Sequence, residues 1–305
     1  MTKTLVSRTN SIFSIYLLLA IVLQCVSSTI ISDVKPNDGL VRKPRLIAGG
    51  YPSGIQQEII PSGFFVNRST LQYMARFSPD VSNFSFCSGA LVTLSLVLTA
   101  AHCVDQNVSS PYAPFTIILG DLDTDKVEAN EQRFPGLLMN GSAILHPKWD
   151  SKNSSISTFS YEKIQQNDIA VYKLPREAKI NVGYVQIIGF YLGTPLAENS
   201  AVKIAGWGES EENAFTIQRE RTLQEVEIPL QKCGTLPVRN SEAVICYGTN
   251  ESFPCKSDAG GPVITYVDKT QYLVGVHNAG NCNSTGVNGI FGFGANLQYS
   301  ENQLK

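Results

Sequence analysis

Leu98-Thr99-Ala100-Ala101-His102-Cys103, Asn167-Asp168-Ile169-Ala170-Val171-Tyr172-Lys173-Leu174 and Cys255-Lys256-Ser257-Asp258-Ala259-Gly260-Gly261-Pro262 are the three stretches that decide the reading of this chain. Around them, short β-branched and aromatic runs alternate with clusters of Gly, Pro, Asn and Ser, as at residues 90–99, 115–119, 168–174, 201–205, 261–267 and 272–276. Runs of that length bounded by turn formers predict the strands of an all-β sandwich or barrel. No sustained helical period supports βαβ units. The Ser- and Asn-rich stretch 150–160 reads as a loop.

The composition sets the frame. With 43% apolar and 16% charged residues in 305, the chain can bury a proper core. Its net charge of −2 and lack of basic clusters argue against a nucleic-acid partner. Lys3 and Arg8 precede an apolar run, 12–23, broken only by Ser14 and Tyr16; with Val26 and Ser28 this predicts a signal peptide over 1–28. The run is shorter than the roughly 20 residues a membrane span needs, so a secreted, extracellular protein without a span is expected. Residues 29–45 are polar and end in Val41-Arg42-Lys43-Pro44-Arg45, which predicts a propeptide with a basic processing site.

Cys25 leaves with the signal. Cys87, Cys103, Cys233, Cys246, Cys255 and Cys282 remain, an even number that predicts three disulfides with the connectivity left open. No CxxC or HxxxH spacing exists and there are only three histidines, so neither a metal nor another cofactor is expected. Seven N-x-S/T sequons, at Asn67, Asn83, Asn107, Asn140, Asn153, Asn250 and Asn283, predict several glycosylated loops.

Read together and in order, the three opening stretches resemble the His, Asp and Ser segments of the trypsin/chymotrypsin-like (S1) serine proteases. Phe86-Cys87-Ser88-Gly89-Ala90-Leu91 and Ala205-Gly206-Trp207-Gly208 add to the likeness, which extends from about residue 46 to about residue 296. The resemblance implies two packed six-stranded antiparallel β-barrels, about 46–175 and about 176–305, within one domain over 46–305. It also implies the pairs Cys87–Cys103, Cys233–Cys246 and Cys255–Cys282. The short polar segment 298–305, with only Tyr299 and Leu304 as anchors, predicts a short or atypical C-terminal helix.

By motif match, His102 is the base and Asp168 its orienter, but Ala259 stands at the nucleophile position. Ser257 replaces the glycine whose N–H helps form the oxyanion hole, and Phe253 replaces the residue on the floor of the specificity pocket. The strand that would pair with substrate backbone corresponds, to within one residue, to His277-Asn278-Ala279, which carries neither the aromatic wall nor the glycine entrance. Asp258 matches the aspartate that pairs with the new N-terminus after zymogen cleavage. A cut after Arg45 would expose Leu46-Ile47-Ala48-Gly49; an alternative register matches Ile47-Ala48-Gly49-Gly50 and leaves the terminus one residue too long.

These departures together predict a non-catalytic serine protease homologue. It would act by binding protein, as a cofactor, decoy or regulator in a proteolytic or immune cascade, with a cascade component as partner. The competing expectation is an active secreted endopeptidase with an unusual nucleophile such as Ser257. A sugar-binding role would need an aromatic cluster that is not visible.

Overall fold

The alternation of apolar runs and turn residues folds into seventeen strands and two single-turn helices among the described residues. The structure is a computed structural model that describes residues 64–65, 70–81, 84–109, 112–137, 141–151, 167–213, 216–219, 222–234, 243–249, 252–254, 257–280 and 292–297. All of these belong to one compact unit, Gln56–Lys305. Outside them lie the signal and propeptide segments, Arg45, Leu46 and Ile47, Cys255 and Cys282, the final helix, and every sequon asparagine except Asn107.

In chain order the strands are β1 (Phe64–Phe65), β2 (Met74–Pro79), β3 (Cys87–Thr93), β4 (Leu96–Thr99), β5 (Phe115–Leu119), β6 (Gln132–Gly136), β7 (Ala143–Leu145), β8 (Ala170–Lys173) and β9 (Gly189–Phe190). They continue as β10 (Ala201–Gly206), β11 (Glu209–Asn213), β12 (Thr216–Arg219), β13 (Gln224–Gln231), β14 (Val244–Tyr247), β15 (Pro262–Val267), β16 (Thr270–Gly280) and β17 (Gly292–Asn296). Helices α1 (Ala101–Val104) and α2 (Gln106–Ser109) follow β4 directly.

The first sheet has the order β6-β5-β2-β3-β4-β8-β7 and is antiparallel throughout. It curls so that its first strand returns to its far side: just past β6, the Leu137 N–H donates to the Tyr172 hydroxyl of β8 at 2.9 Å. The second sheet closes on itself, because the order β13-β10-β15-β16-β17-β14 is completed by a β14–β13 pairing. A closed ring leaves no open edge to aggregate. The implied pair of six-stranded barrels is thus present, with the short strands β1, β7 and β9 added to the sheets and a separate β11–β12 hairpin.

Each barrel has its own core. In the first, the rings of Phe77, Phe86, Phe115 and Tyr172 meet with centroids 5.6–6.3 Å apart. Gly136 is required there, since a Cβ on it would fall 2.2 Å from the Phe115 ring. The second core packs Val202, Ile204, Ile228, Leu230, Tyr247, Val263 and Val274, drawn from five strands of the ring. Phe115 is fully buried, so Phe115→Ala should lower unfolding free energy by about 3–5 kcal/mol. Denaturant titration with an unchanged slope would check this; a loss under 1 kcal/mol would refute the packing described.

Candidate functional site

The site is assembled where the two barrels meet. Strand β4 ends at Thr99 and turns into α1, which carries His102. Asp168 lies two residues before β8, the neighbour of β4, and Asn167 turns the chain there with φ 64°. The His102 backbone N–H donates to Asp168 Oδ1 at 2.9 Å, and its Nδ1–H donates to Oδ2 at 2.7 Å. Both carboxylate oxygens therefore face one residue, and the ring is orientated as well as paired. Asp168 itself is 4% exposed.

Two further contacts hold this pair, and a third braces the helices beside it. The Asn278 side-chain amide donates to the Asp168 carbonyl at 2.5 Å. The Ser109 hydroxyl donates to the His102 carbonyl at 2.5 Å. Buried Asp105, between the two helices, accepts from the Trp149 indole at 2.7 Å and from the Asn107 N–H at 2.9 Å. Sequence reasoning missed Ser109 and Asp105: Ser109 was visible only as the third residue of a sequon, and nothing local marks Asp105. Asn107 is exposed, and its own amide donates to Asp105 at 3.2 Å.

The turn 257–261 comes from the second barrel and presses onto the first. Ser88 N–H of β3 donates to the Ala259 carbonyl at 2.7 Å. Gly260 has φ 83°, and a Cβ on it would fall 2.2 Å from both the Ser88 carbonyl and Thr99 Oγ1, so only glycine fits. Ser257 has φ 68°. The turn keeps a left-handed conformation there despite the side chain, at a cost of about 1 kcal/mol relative to glycine.

The Asp258 carboxylate packs against Gly206 and Gly208, where added Cβ atoms would fall 2.2 and 2.4 Å from Oδ1, and it accepts the Gly208 N–H at 2.8 Å. The Cys87–Cys103 disulfide staples β3 to α1, and Cys233–Cys246 staples the end of β13 to β14. Among the described residues one cluster has metal-ligand spacing, Cys87, His102 and Cys103, and both of its sulfurs are consumed by the disulfide.

One cleft assignment is corrected. His277 is fully buried and hydrogen-bonded through Nδ1 to the Tyr247 hydroxyl at 2.7 Å, so it lines the interior of the second barrel rather than the cleft. The neighbouring Asn278, also buried, is the residue of this strand that reaches Asp168. The physical reason is the partner across the barrel: the buried Tyr247 hydroxyl of β14 takes up the His277 ring, and the register irregularity that follows falls at Asn278. Phe253 is 8% exposed.

Burial lowers the His102 pKa, but the charge and hydrogen bond of Asp168 more than offset this, so it stands above its ordinary 6.5. Tyr247 is pushed well above 10.0, by burial first and then by the charge of Asp258, and remains a neutral phenol.

A double β-barrel with a His–Asp pair at the seam defines the class of serine-endopeptidase-type folds. The family model described as Trypsin matches residues 60–298, and the chain belongs to that family. It is 29% identical over 211 residues to chymotrypsin-like elastase family member 1 of Bos taurus, covering 67% of this chain and 71% of the relative. To the Homo sapiens protein of the same description it is 28% identical over 213 residues, covering 67% and 74%.

The His102 geometry generates a signed prediction. A raised folded pKa gives stability that is full below 6.5 and is lost as pH rises through the folded value. In Asp168→Asn the ring keeps its burial and loses its charge partner, so the His102 titration should fall below 6.5. Histidine NMR titration reads this directly, and the stability deficit of the variant should shrink as pH rises. A His102 midpoint unchanged by the substitution would refute the coupling.

Proposed function

We propose that this chain is a secreted, non-catalytic serine protease homologue that acts by binding protein. The observation that carries the proposal is Ala259 at the position that the motif match gives to the nucleophile, on a turn fastened to β3 by the bond from the Ser88 N–H to the Ala259 carbonyl. Hydrolysis by this fold needs an oxygen that His102 can deprotonate and that can attack a carbonyl. The Ala259 methyl supplies neither. In a serine protease of another fold, deleting the nucleophile costs on the order of a million-fold in kcat. Losing one oxyanion donor costs roughly 100- to 1,000-fold, and Ser257 places a side chain at that position. Both losses fall on the same step.

What remains is a scaffold with an orientated cation-capable histidine, a cleft bordered by Asn278–Gly280, and surface loops. Such a fold binds without reacting. A partner within a proteolytic or immune cascade, as cofactor, decoy target or regulated enzyme, fits a chain that keeps the contours of its catalytic relatives. Residues 1–28 are assigned as a signal peptide, 29–45 as a propeptide and 46–305 as the homologue domain. The sequon density accords with passage through the secretory route. Among the described residues no helix is long and apolar enough to cross a membrane. Asp258, seated against Gly206 and Gly208, supports a retained response to cleavage after Arg45.

The test is active-site labelling. After cleavage following Arg45, the unmodified chain should remain unlabelled by a fluorophosphonate probe. The Ala259→Ser, Ser257→Gly double variant should label, because His102 and Asp168 are already paired. Stoichiometric labelling of the unmodified chain would overturn the proposal in favour of an endopeptidase with an unusual nucleophile.

A further inference from the structure

We propose that Asn107 carries an N-linked glycan whose first N-acetylglucosamine lies on the indole of Trp149 and braces the α1–α2 corner beside His102. This rests on the secretory reading above and goes beyond the sequon, which supplies only an acceptor sequence. Asn107 is exposed and belongs to α2, directly after the helix that carries His102. Its backbone N–H and its side-chain N–H both donate to Asp105 Oδ1, at 2.9 and 3.2 Å. An oxygen that meets both is reached by the amide hydrogen on the Cβ side, because the other hydrogen points along the Cβ–Cγ bond, away from the backbone. A substituent on a planar amide prefers the position trans to the chain, which is that outward one. Linkage to a sugar therefore replaces the hydrogen that the Asp105 bond does not use, and leaves that bond in place.

The other oxygen of the same carboxylate fixes the indole. Trp149 Nε1–H donates to Asp105 Oδ2 at 2.7 Å, and Asp105 is buried. One carboxylate thus holds the acceptor amide on one oxygen and the edge of a half-buried indole on the other. Such an indole keeps part of its apolar face in water, and the C–H face of a pyranose ring covers a surface of that kind. The sequon hydroxyl, Ser109, is fully buried and donates to the His102 carbonyl at 2.5 Å. Transfer therefore precedes the folding of this corner, since the hydroxyl that completes the acceptor is enclosed afterwards. In that step the Asn107 amide nitrogen displaces the diphosphate of a lipid-linked oligosaccharide from C1 of its first sugar. The N–C1 bond forms, the C1–O bond breaks, the amide gives up one proton and the lipid diphosphate leaves; nothing is oxidised or reduced.

The full chain secreted from cultured eukaryotic cells tests this. Peptide mass spectrometry should find Asn107 glycosylated, and an endoglycosidase then trims the glycan to its first sugar. Ser109→Ala removes that sugar and leaves the Asn107 amide; it also removes the bond to the His102 carbonyl, so its effect is read in a cycle with Trp149→Ala. Ser109→Ala should lower the melting midpoint by about 2–4 °C more in the chain with Trp149 than in the Trp149→Ala chain. A second readout needs no variant: nuclear Overhauser contacts should join the sugar protons of the trimmed chain to the Trp149 ring. The other tryptophan, Trp207, is buried and does not confuse the assignment. Unmodified Asn107 in a chain that reaches the medium would overturn the proposal. So would equal midpoint losses in the two backgrounds, or a Trp149 ring without contacts to the sugar. A chain that stays inside the cell with every sequon unmodified would strike the secretory reading as well, whereas Asn107 unmodified beside other occupied sequons strikes this proposal alone, so the two failures are distinguishable.

Discussion

The contact between Gly260 and the first barrel is the constraint on which the site depends. Gly260 lies so close to the Ser88 carbonyl and Thr99 Oγ1 that no side chain can intervene, and its left-handed φ is one that glycine adopts without strain. The Ser88 N–H holds the carbonyl of Ala259, while Gly260 N–H donates to His277 O at 2.7 Å and His277 N–H to Gly261 O at 2.8 Å. The turn is thereby fastened to β3 of one barrel and β16 of the other. Thr99, the last residue of β4, contributes from the other flank by donating to the Ser88 carbonyl at 2.8 Å. These bonds are made by main chain and by Thr99, so they are indifferent to whether residue 259 is serine or alanine. The geometry of the turn therefore does not depend on the side chain at position 259.

The persistence of His102 and Asp168 has a physical cause apart from catalysis. Asp168 is a buried carboxylate whose two oxygens are both satisfied by one residue and whose carbonyl is satisfied by Asn278. Removing His102 would leave a buried charge with one N–H donor fewer, a change that is destabilising in its own right. The pair is also tied into the α1–α2 segment by Ser109, and that segment into the barrel by Asp105 and Trp149. A polar network that is this fully satisfied specifies a conformation. The scaffold therefore depends on the pair in its own right.

Much of this was legible because it depends on neighbouring residues. The His102, Asp168 and Ala259 segments are contiguous motifs, each with its turn or strand residues adjacent, and their order along the chain is itself a signal. Ala259 could be read from a single position within such a motif. His277 was misplaced because its facing is set by a hydrogen bond to Tyr247, a residue on another strand. No single-chain pattern marks such a partner.

The sequence by itself determined the all-β class, the disulfide-bearing character, the His–Asp pair and the missing hydroxyl, since these depend on residue type and on short-range pattern. Only the tertiary structure decided the state of the cleft. Ser257 keeps a glycine-like turn, and Asn278 rather than His277 meets Asp168. Each of those facts is a distance between segments far apart in the chain. Such distances follow from how two barrels close and pack, which no motif encodes.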